Sequence, residues 1–194
     1  DAIVGERGRG SWDLLLSLPI TRLELLLGKY LGLAAALTFS TLAGFGLVAM
    51  VLARQLDLAG LAAYGDFMLS SILLGCAFLA IAVLLSVVAS DRTRASGLAG
   101  ATWFFFVLLF DLLLLGLLVI GGGRFGGAEL PYLLLLNPAD VFRVLNVHAI
   151  EDVGAQFGLA TVFPPELARD GLLYATLVAW CIVPLALAAW RFRR

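Results

Sequence analysis

Four stretches of this chain, residues 30–53, 67–89, 97–120 and 172–190, are each long and apolar enough to cross a lipid bilayer. Three carry no charge and the third carries one, Asp111. A hydrocarbon layer of roughly 30 Å takes about 20 helical residues, because in lipid only a helix or a closed barrel satisfies its own backbone. Composition agrees: 62% of the 194 residues are apolar, 14% are charged, and the mean hydropathy is +1.03. Soluble domains run nearer to about 45–50% apolar and 25% charged. The sequence therefore predicts an all-α, polytopic transmembrane helical bundle, one domain over residues 1–194. Pro184 is expected to kink the last helix.

Lysine and arginine set the expected orientation. Placing the N-terminal segment inside leaves Arg7, Arg9, Arg22, Lys29, Arg92, Arg94, Arg191, Arg193 and Arg194 on the inner side. Arg54, Arg124, Arg143 and Arg169 are then outside, which accounts for all 13 basic residues. The segment 121–171 becomes an external, hence periplasmic, loop. A net charge of −1 argues against a nucleic-acid partner. The chain starts at Asp1 without an initiator Met or a signal peptide, and reads as opening inside a longer protein.

The richest local chemistry lies in residues 5–29, GERGRGSWDLLLSLPITRLELLLGK. A short amphipathic turn from Trp12 to Leu18 is stopped by Pro19. Thr21 and Glu24 then form a capping box, with Ile20 and Leu25 as its hydrophobic staple. The helix that starts at Arg22 stays apolar to about Ala53, roughly 48 Å, so its first turns carry Arg22 and Lys29 outside the hydrocarbon. The bland reading of this elbow is an interfacial anchor; the functional reading is a segment that docks on a cytoplasmic partner.

The pattern E-R-x-x-G-S-x-D-x-L-L-x-x-P, followed by a helix with Gly28-Lys29, resembles the cytoplasmic elbow of type-2 ABC transporter permeases. The resemblance implies that Glu6, Arg7, Gly10, Ser11, Asp13, Leu15, Leu16 and Pro19 couple to a separate ATP-hydrolysing subunit. Trp12 departs from the family's smaller aliphatic. The resemblance also implies two membrane helices ahead of the elbow.

Small residues recur every fourth position in the first long helix, at Gly28, Gly32, Ala36, Ser40 and Gly44, with a shorter series at Ala82, Ser86 and Ser90. Such ridges let helix backbones approach closely. A partner helix in the same subunit or across a homodimer seam would fit this one. Gly and Ala are also simply common in membrane helices. Asp111 falls on the stripe Gly97, Ala101, Phe104, Leu108, Asp111, Leu115. A carboxyl at this depth is costly and marks a transport candidate. The alternative is a carboxyl held by a Ser, Thr or Tyr on a neighbour that only fixes helix register.

Within 121–171, Asn137-Pro138-Ala139-Asp140 is a good helix start, with Asn as N-cap and Pro at the first position. The helix is expected to run to about Ile150 with Val141 and Leu145 on one face, lying along the outer membrane surface. Acids outnumber bases in the loop, so a solvated loop is the default and a docking surface for an extracytoplasmic partner the sharper idea.

LLLLNPADVFRVLN, with FDLLLLGLLV and GERGRG, is similar to the permeases of Nos-type ABC transporters, which serve copper maturation of nitrous oxide reductase. That implies a homodimeric inner-membrane permease, an ATPase inside, and a periplasmic β-helical partner contacted through Asn137, Pro138, Asp140 and Arg143. Its cargo would be a copper or sulfur species. Exporters of lipid, polysaccharide or drug, and a non-transporting anchor for a periplasmic protein, remain alternatives.

No ligand set with metal spacing is present, so neither a bound metal nor a cofactor is expected. Soft donors are limited to Cys76, Cys181, Met50, Met68 and His148. Cys76, Cys181 and Asp111 count to a common depth of roughly 13.5 Å below the outer helix ends, although lone Cys residues in apolar helices ordinarily serve packing. The P-loop pattern fails, since Leu23 stands where its first Gly belongs and Tyr30 follows Lys29. GxSxG and HExxH are absent too. A non-catalytic subunit is expected.

Overall fold

The computed structural model describes residues 21–120, 130–148 and 169–193. The elbow residues Glu6 to Pro19 lie outside that range, as do the Gly121 to Gly123 run and the Phe163-Pro164-Pro165 restart. Four membrane-length helices make the frame: α1 (Arg22–Leu52), α2 (Leu58–Val88), α3 (Arg92–Ile120) and α6 (Asp170–Arg193). Between α3 and α6 lie two short helices, α4 (Leu130–Leu134) and α5 (Pro138–His148). Among the described residues there is no strand.

Each start is chemical. Thr21 accepts from the Glu24 backbone (3.2 Å), and the Glu24 carboxylate accepts from the Thr21 N–H (2.6 Å), so the expected capping box is formed. Asp57 caps α2 through Gly60 N–H (2.9 Å) and Asp91 caps α3 through Arg94 N–H (2.8 Å). These two caps change the expected boundaries. Helix α2 begins well ahead of Phe67, so the connection after α1 is only a few residues long. SDRTRAS is likewise one tight turn followed by helix, because Asp91 satisfies an N–H that a loop would have left to water.

Helix α2 is the centre of the bundle, packing on α1, α3, α5 and, most extensively, α6. Toward the end that carries Arg22, Arg92 and Arg191, Leu26 and Tyr30 of α1 meet Ala80, Val83 and Val87 of α2, with Ala188 and Phe192 of α6. Toward the opposite, loop end, Val141, Val144 and Leu145 of α5 pack on Leu173 and Leu177 of α6. Burying these side chains inside the bundle leaves most of α1 and α3 open on their outer faces.

The ridge Gly28, Gly32, Ala36, Ser40, Gly44 lies on that open side of α1. A Cβ added at Gly28, Gly32 or Gly44 would touch nothing within 4 Å. No described helix of this chain fills the ridge. Close approach between α1 and α2 happens elsewhere, at Gly75, where a Cβ would sit 3.0 Å from both methyls of Leu37. On α2 the small residues that face neighbours are Ser70, Ala77, Ala80 and Ser86; of the Ala82, Ser86, Ser90 series Ser86 is buried, Ala82 half-buried and Ser90 exposed.

Helix α3 is not uniform. Phe105–Leu109 form a π turn, with the Phe110 N–H reaching back to the Phe105 carbonyl. The wider turn rotates the outer half relative to the inner half. The predicted stripe from Gly97 to Leu115 assumed one period throughout, so it does not survive as a single face.

Candidate functional site: a polar clasp at membrane depth

Helix α5 does not lie along the membrane surface as the sequence predicts. Asn137, immediately ahead of it, donates from Nδ2 to the Phe106 carbonyl of α3 (2.7 Å). Two residues earlier, the Leu135 carbonyl accepts from Trp180 Nε1 of α6 (3.3 Å), and the Phe106 and Trp180 rings meet edge-to-face at 5.5 Å. Trp180 lies ten residues into α6, roughly 15 Å below its loop end. The α4–α5 hairpin therefore re-enters the bundle to about its middle. Non-helical backbone is tolerated there because its polar groups are satisfied by protein: the Leu136 and Asn137 N–H groups donate to the Leu133 and Leu134 carbonyls, and the Leu135 carbonyl accepts from Trp180. The far end of α5 is held by Asn146, which donates to Ser70 Oγ of α2 (3.0 Å) and to the Phe142 carbonyl (2.7 Å), while Phe142 packs on Phe67 at 5.9 Å.

The helix start has the predicted form. Asn137 Oδ1 accepts from Ala139 N–H (3.0 Å), Pro138 occupies the first position, and Asp140 follows in the first turn. Its surroundings differ from prediction. Asn137 and Pro138 are fully buried and Asp140 is 3% exposed. These three were expected to contact a periplasmic partner. They face inward instead, since a capped turn inserted between helices spends its polar atoms on its neighbours. Arg143 alone of the four keeps substantial exposure.

Arg143 ties the site together. Its Nη1 donates to Asp140 Oδ1 (2.8 Å) and to Asp111 Oδ2 of α3, and its Nη2 donates to the Val107 carbonyl (3.0 Å). Asp140 Oδ2 accepts from Asn137 (2.8 Å). One guanidinium thus serves two carboxylates and one carbonyl of the π turn, with Asn137 taking the adjacent carbonyl. Asp111 is not held by a Ser, Thr or Tyr; its partner is a charge brought in by the hairpin. The pair is open on one side, with the Arg143 and Asp111 side chains 43% and 40% exposed.

The other predicted coincidence separates. Cys76 of α2 and Cys181 of α6 both lie beside the Tyr30 hydroxyl of α1, which donates to the Cys76 carbonyl (3.3 Å). The Cys181 thiol donates to the Leu73 carbonyl (3.6 Å). Asp111 takes its partner from α5, whereas Cys76 and Cys181 lie against Tyr30 of α1 and Leu73 of α2, so equal depth did not mean a shared site. Among the described residues there is no group of three or more His, Cys, Asp or Glu placed to hold a metal ion. None of their buried side-chain nitrogens or oxygens lacks a hydrogen-bond partner.

Four helices able to cross a membrane, a re-entrant hairpin between the last two, and an ion pair at hydrocarbon depth form the frame of a membrane permease. The sequence profile of the ABC-2 family transporter proteins matches residues 1–194. The chain belongs to the ABC-2 transporter family. Two curated relatives support this ABC-2 assignment along its whole length. One from Stutzerimonas stutzeri, named a probable ABC transporter permease protein, NosY, is 42% identical over 198 residues, covering 100% of this chain and 72% of the relative. A NosY of the same description from Pseudomonas aeruginosa is 45% identical with the same coverage.

Sequence reading missed Arg143 as the partner of Asp111, and the Phe106 and Val107 carbonyls as acceptors for Asn137 and Arg143. Arg143, the one arginine of the capped stretch 130–148, was the available signal. A buried carboxylate nearly always recruits a cation.

Proposed function

We propose that this ABC-2 chain is the membrane subunit of a Nos-type ABC transporter, with the Arg143–Asp111 pair lining the path its cargo takes. One observation carries the site reading: two opposite charges remain about two-fifths exposed well inside the span of α3. Charges at that depth are costly against lipid and normally face the bundle interior or a water-filled cavity. The open side of the clasp is thus a passage wall, and a second copy of the chain is its opposite wall. Whole-chain similarity to two permeases named NosY supports the choice of system.

In this reading ATP is hydrolysed by a separate cytoplasmic subunit docked on Glu6, Arg7, Gly10, Ser11, Asp13, Leu15, Leu16 and Pro19. The chain sits in the bacterial inner membrane as a homodimer, with a periplasmic partner on the loop end. The species moved is a copper or sulfur species for nitrous oxide reductase maturation. Pull-down of the ATPase by the full-length permease should be lost with Asp13→Arg and Leu16→Arg at normal membrane abundance. Asp111→Leu should lower the copper content of the periplasmic enzyme at unchanged permease level. Full copper loading with Asp111→Leu would remove the transport role.

A second reading has its own observation. An apolar groove of about 240 Å³, lined by Leu135, Leu136, Thr176, Ala179, Trp180 and Val183, opens between the hairpin and α6. It suits an acyl chain, as in an exporter of lipid. Normal enzyme maturation in a permease-deleted strain whose envelope lipid composition is altered would favour it.

A further inference from the structure

The π turn in α3 and the hairpin side chains are matched one to one. Phe105–Leu109 is a π turn. The carbonyls at Phe106 and Val107, in its middle, accept from Asn137 and Arg143. π turns within α-helices are rare and tend to occur at functional positions. Here the two stabilising donors come from one segment, which is otherwise held at its far end by Ser70 and Asn146. Asp111, in the first turn beyond the π turn, is bonded to the same Arg143. Four contacts therefore depend together on where the hairpin sits.

We propose that the π turn and the re-entrant hairpin are a register switch in α3. With Asn137 and Arg143 in place the turn keeps its extra residue. When the hairpin withdraws, the turn closes to α-helix and Phe110–Ile120 rotates by about 100° and shifts by about 1.5 Å, one residue's worth. The position beside Arg143 then passes from Asp111 to an apolar neighbour, Phe110 or Leu112, and Arg143 retains Asp140 alone. A packed helix has two discrete registers rather than a continuum, which is what a two-state element requires. The switch goes beyond the transport reading and needs no cargo or nucleotide for its first test.

The experiment uses the full-length permease in nanodiscs, with Cys76 and Cys181 replaced and spin labels placed in pairs. One pair joins Leu113, beyond the π turn, to Leu69 of α2; the control joins Leu98, before the turn, to Leu69. All three side chains are exposed. Asn137→Ser, which keeps the helix cap but cannot reach Phe106, is combined with Arg143→Met. The Leu113–Leu69 distance should shift, by about 3.5 Å at the Cα level for a 100° turn on a helix of 2.3 Å radius. The Leu98–Leu69 distance should stay put. An unmoved Leu113 pair, or both pairs moving together, overturns the proposal. Should the double variant fail to fold, Asn137→Ser alone is compared with the same change in a chain lacking Leu108. Deleting that residue removes the extra position and leaves no second register, so the shift seen with Asn137→Ser must vanish. A shift that persists there also overturns it.

Discussion

Arg143 on α5 and Asp111 on α3, 32 positions apart in the chain, are joined by an ion pair through Arg143 Nη1. The same nitrogen also serves Asp140 at 2.8 Å. This pair is the point where the re-entrant hairpin and the third membrane helix become one unit. It also explains how a carboxylate is tolerated in a helix that is otherwise apolar from Trp103 to Ile120: the charge is matched by a cation that enters with the hairpin.

Removing one partner should therefore hurt more than removing both. Breaking a fully buried pair from one side costs about 3–5 kcal/mol. The exposure of these two side chains reduces that, to about 1–2 kcal/mol. Arg143→Met leaves both Asp111 and Asp140 without a cation, whereas Asp111→Leu with Arg143→Met leaves only Asp140, which keeps Asn137. Thermal unfolding of the detergent-solubilised permease should rank the single Arg143 variant below the double. Additive losses in the double variant would contradict the pairing.

What could be read from the sequence was what local spacing encodes. Thr21 with Glu24, and Asn137 with Pro138 and Asp140, are helix starts because their partners lie within three residues. The caps at Asp57 and Asp91 are equally local and were overlooked because apolar length was used to draw the helix ends. The re-entrance of α4 and α5 was not legible. It depends on contacts 31 to 45 residues apart, Asn137 with Phe106 and Trp180 with Leu135. The π turn has no local residue signature either, so the face of Asp111 could not be drawn from a uniform helical period. Asp111 itself was legible, as the lone charge in a membrane helix. Its partner was not.

Orientation is open to direct test. Positive-inside bias puts Arg94 on the cytoplasmic side and the turn after α1, at Leu56, on the outside. Both positions are exposed. Single cysteines there, in a background lacking Cys76 and Cys181, should differ toward an impermeant thiol reagent on intact spheroplasts. Leu56→Cys should label and Arg94→Cys should not. The opposite pattern would invert every assignment of side made above.

Two glycines on neighbouring helices should behave in opposite ways. At Gly75 an added Cβ would lie 3.0 Å from the Leu37 methyls, closer than ordinary packing permits, so Leu37 must move or α1 must draw away from α2. Gly75→Val should cost about 1–3 kcal/mol, in the range of overpacked cores. At Gly32 a Cβ meets nothing within 4 Å, and alanine there also lowers the backbone entropy of the unfolded chain. Gly32→Ala should leave the solubilised chain unchanged or raise its stability by about 0.5 kcal/mol. The larger Gly32→Leu separates a lipid-facing ridge from one that receives another helix. If lipid covers the ridge, the leucine is tolerated both in detergent and in the assembled transporter. If a helix outside the described residues or from a second copy packs there, Gly32→Leu should lower assembly on blue-native gels while Gly32→Ala stays near wild type. Equal assembly with both substitutions would assign the ridge to lipid.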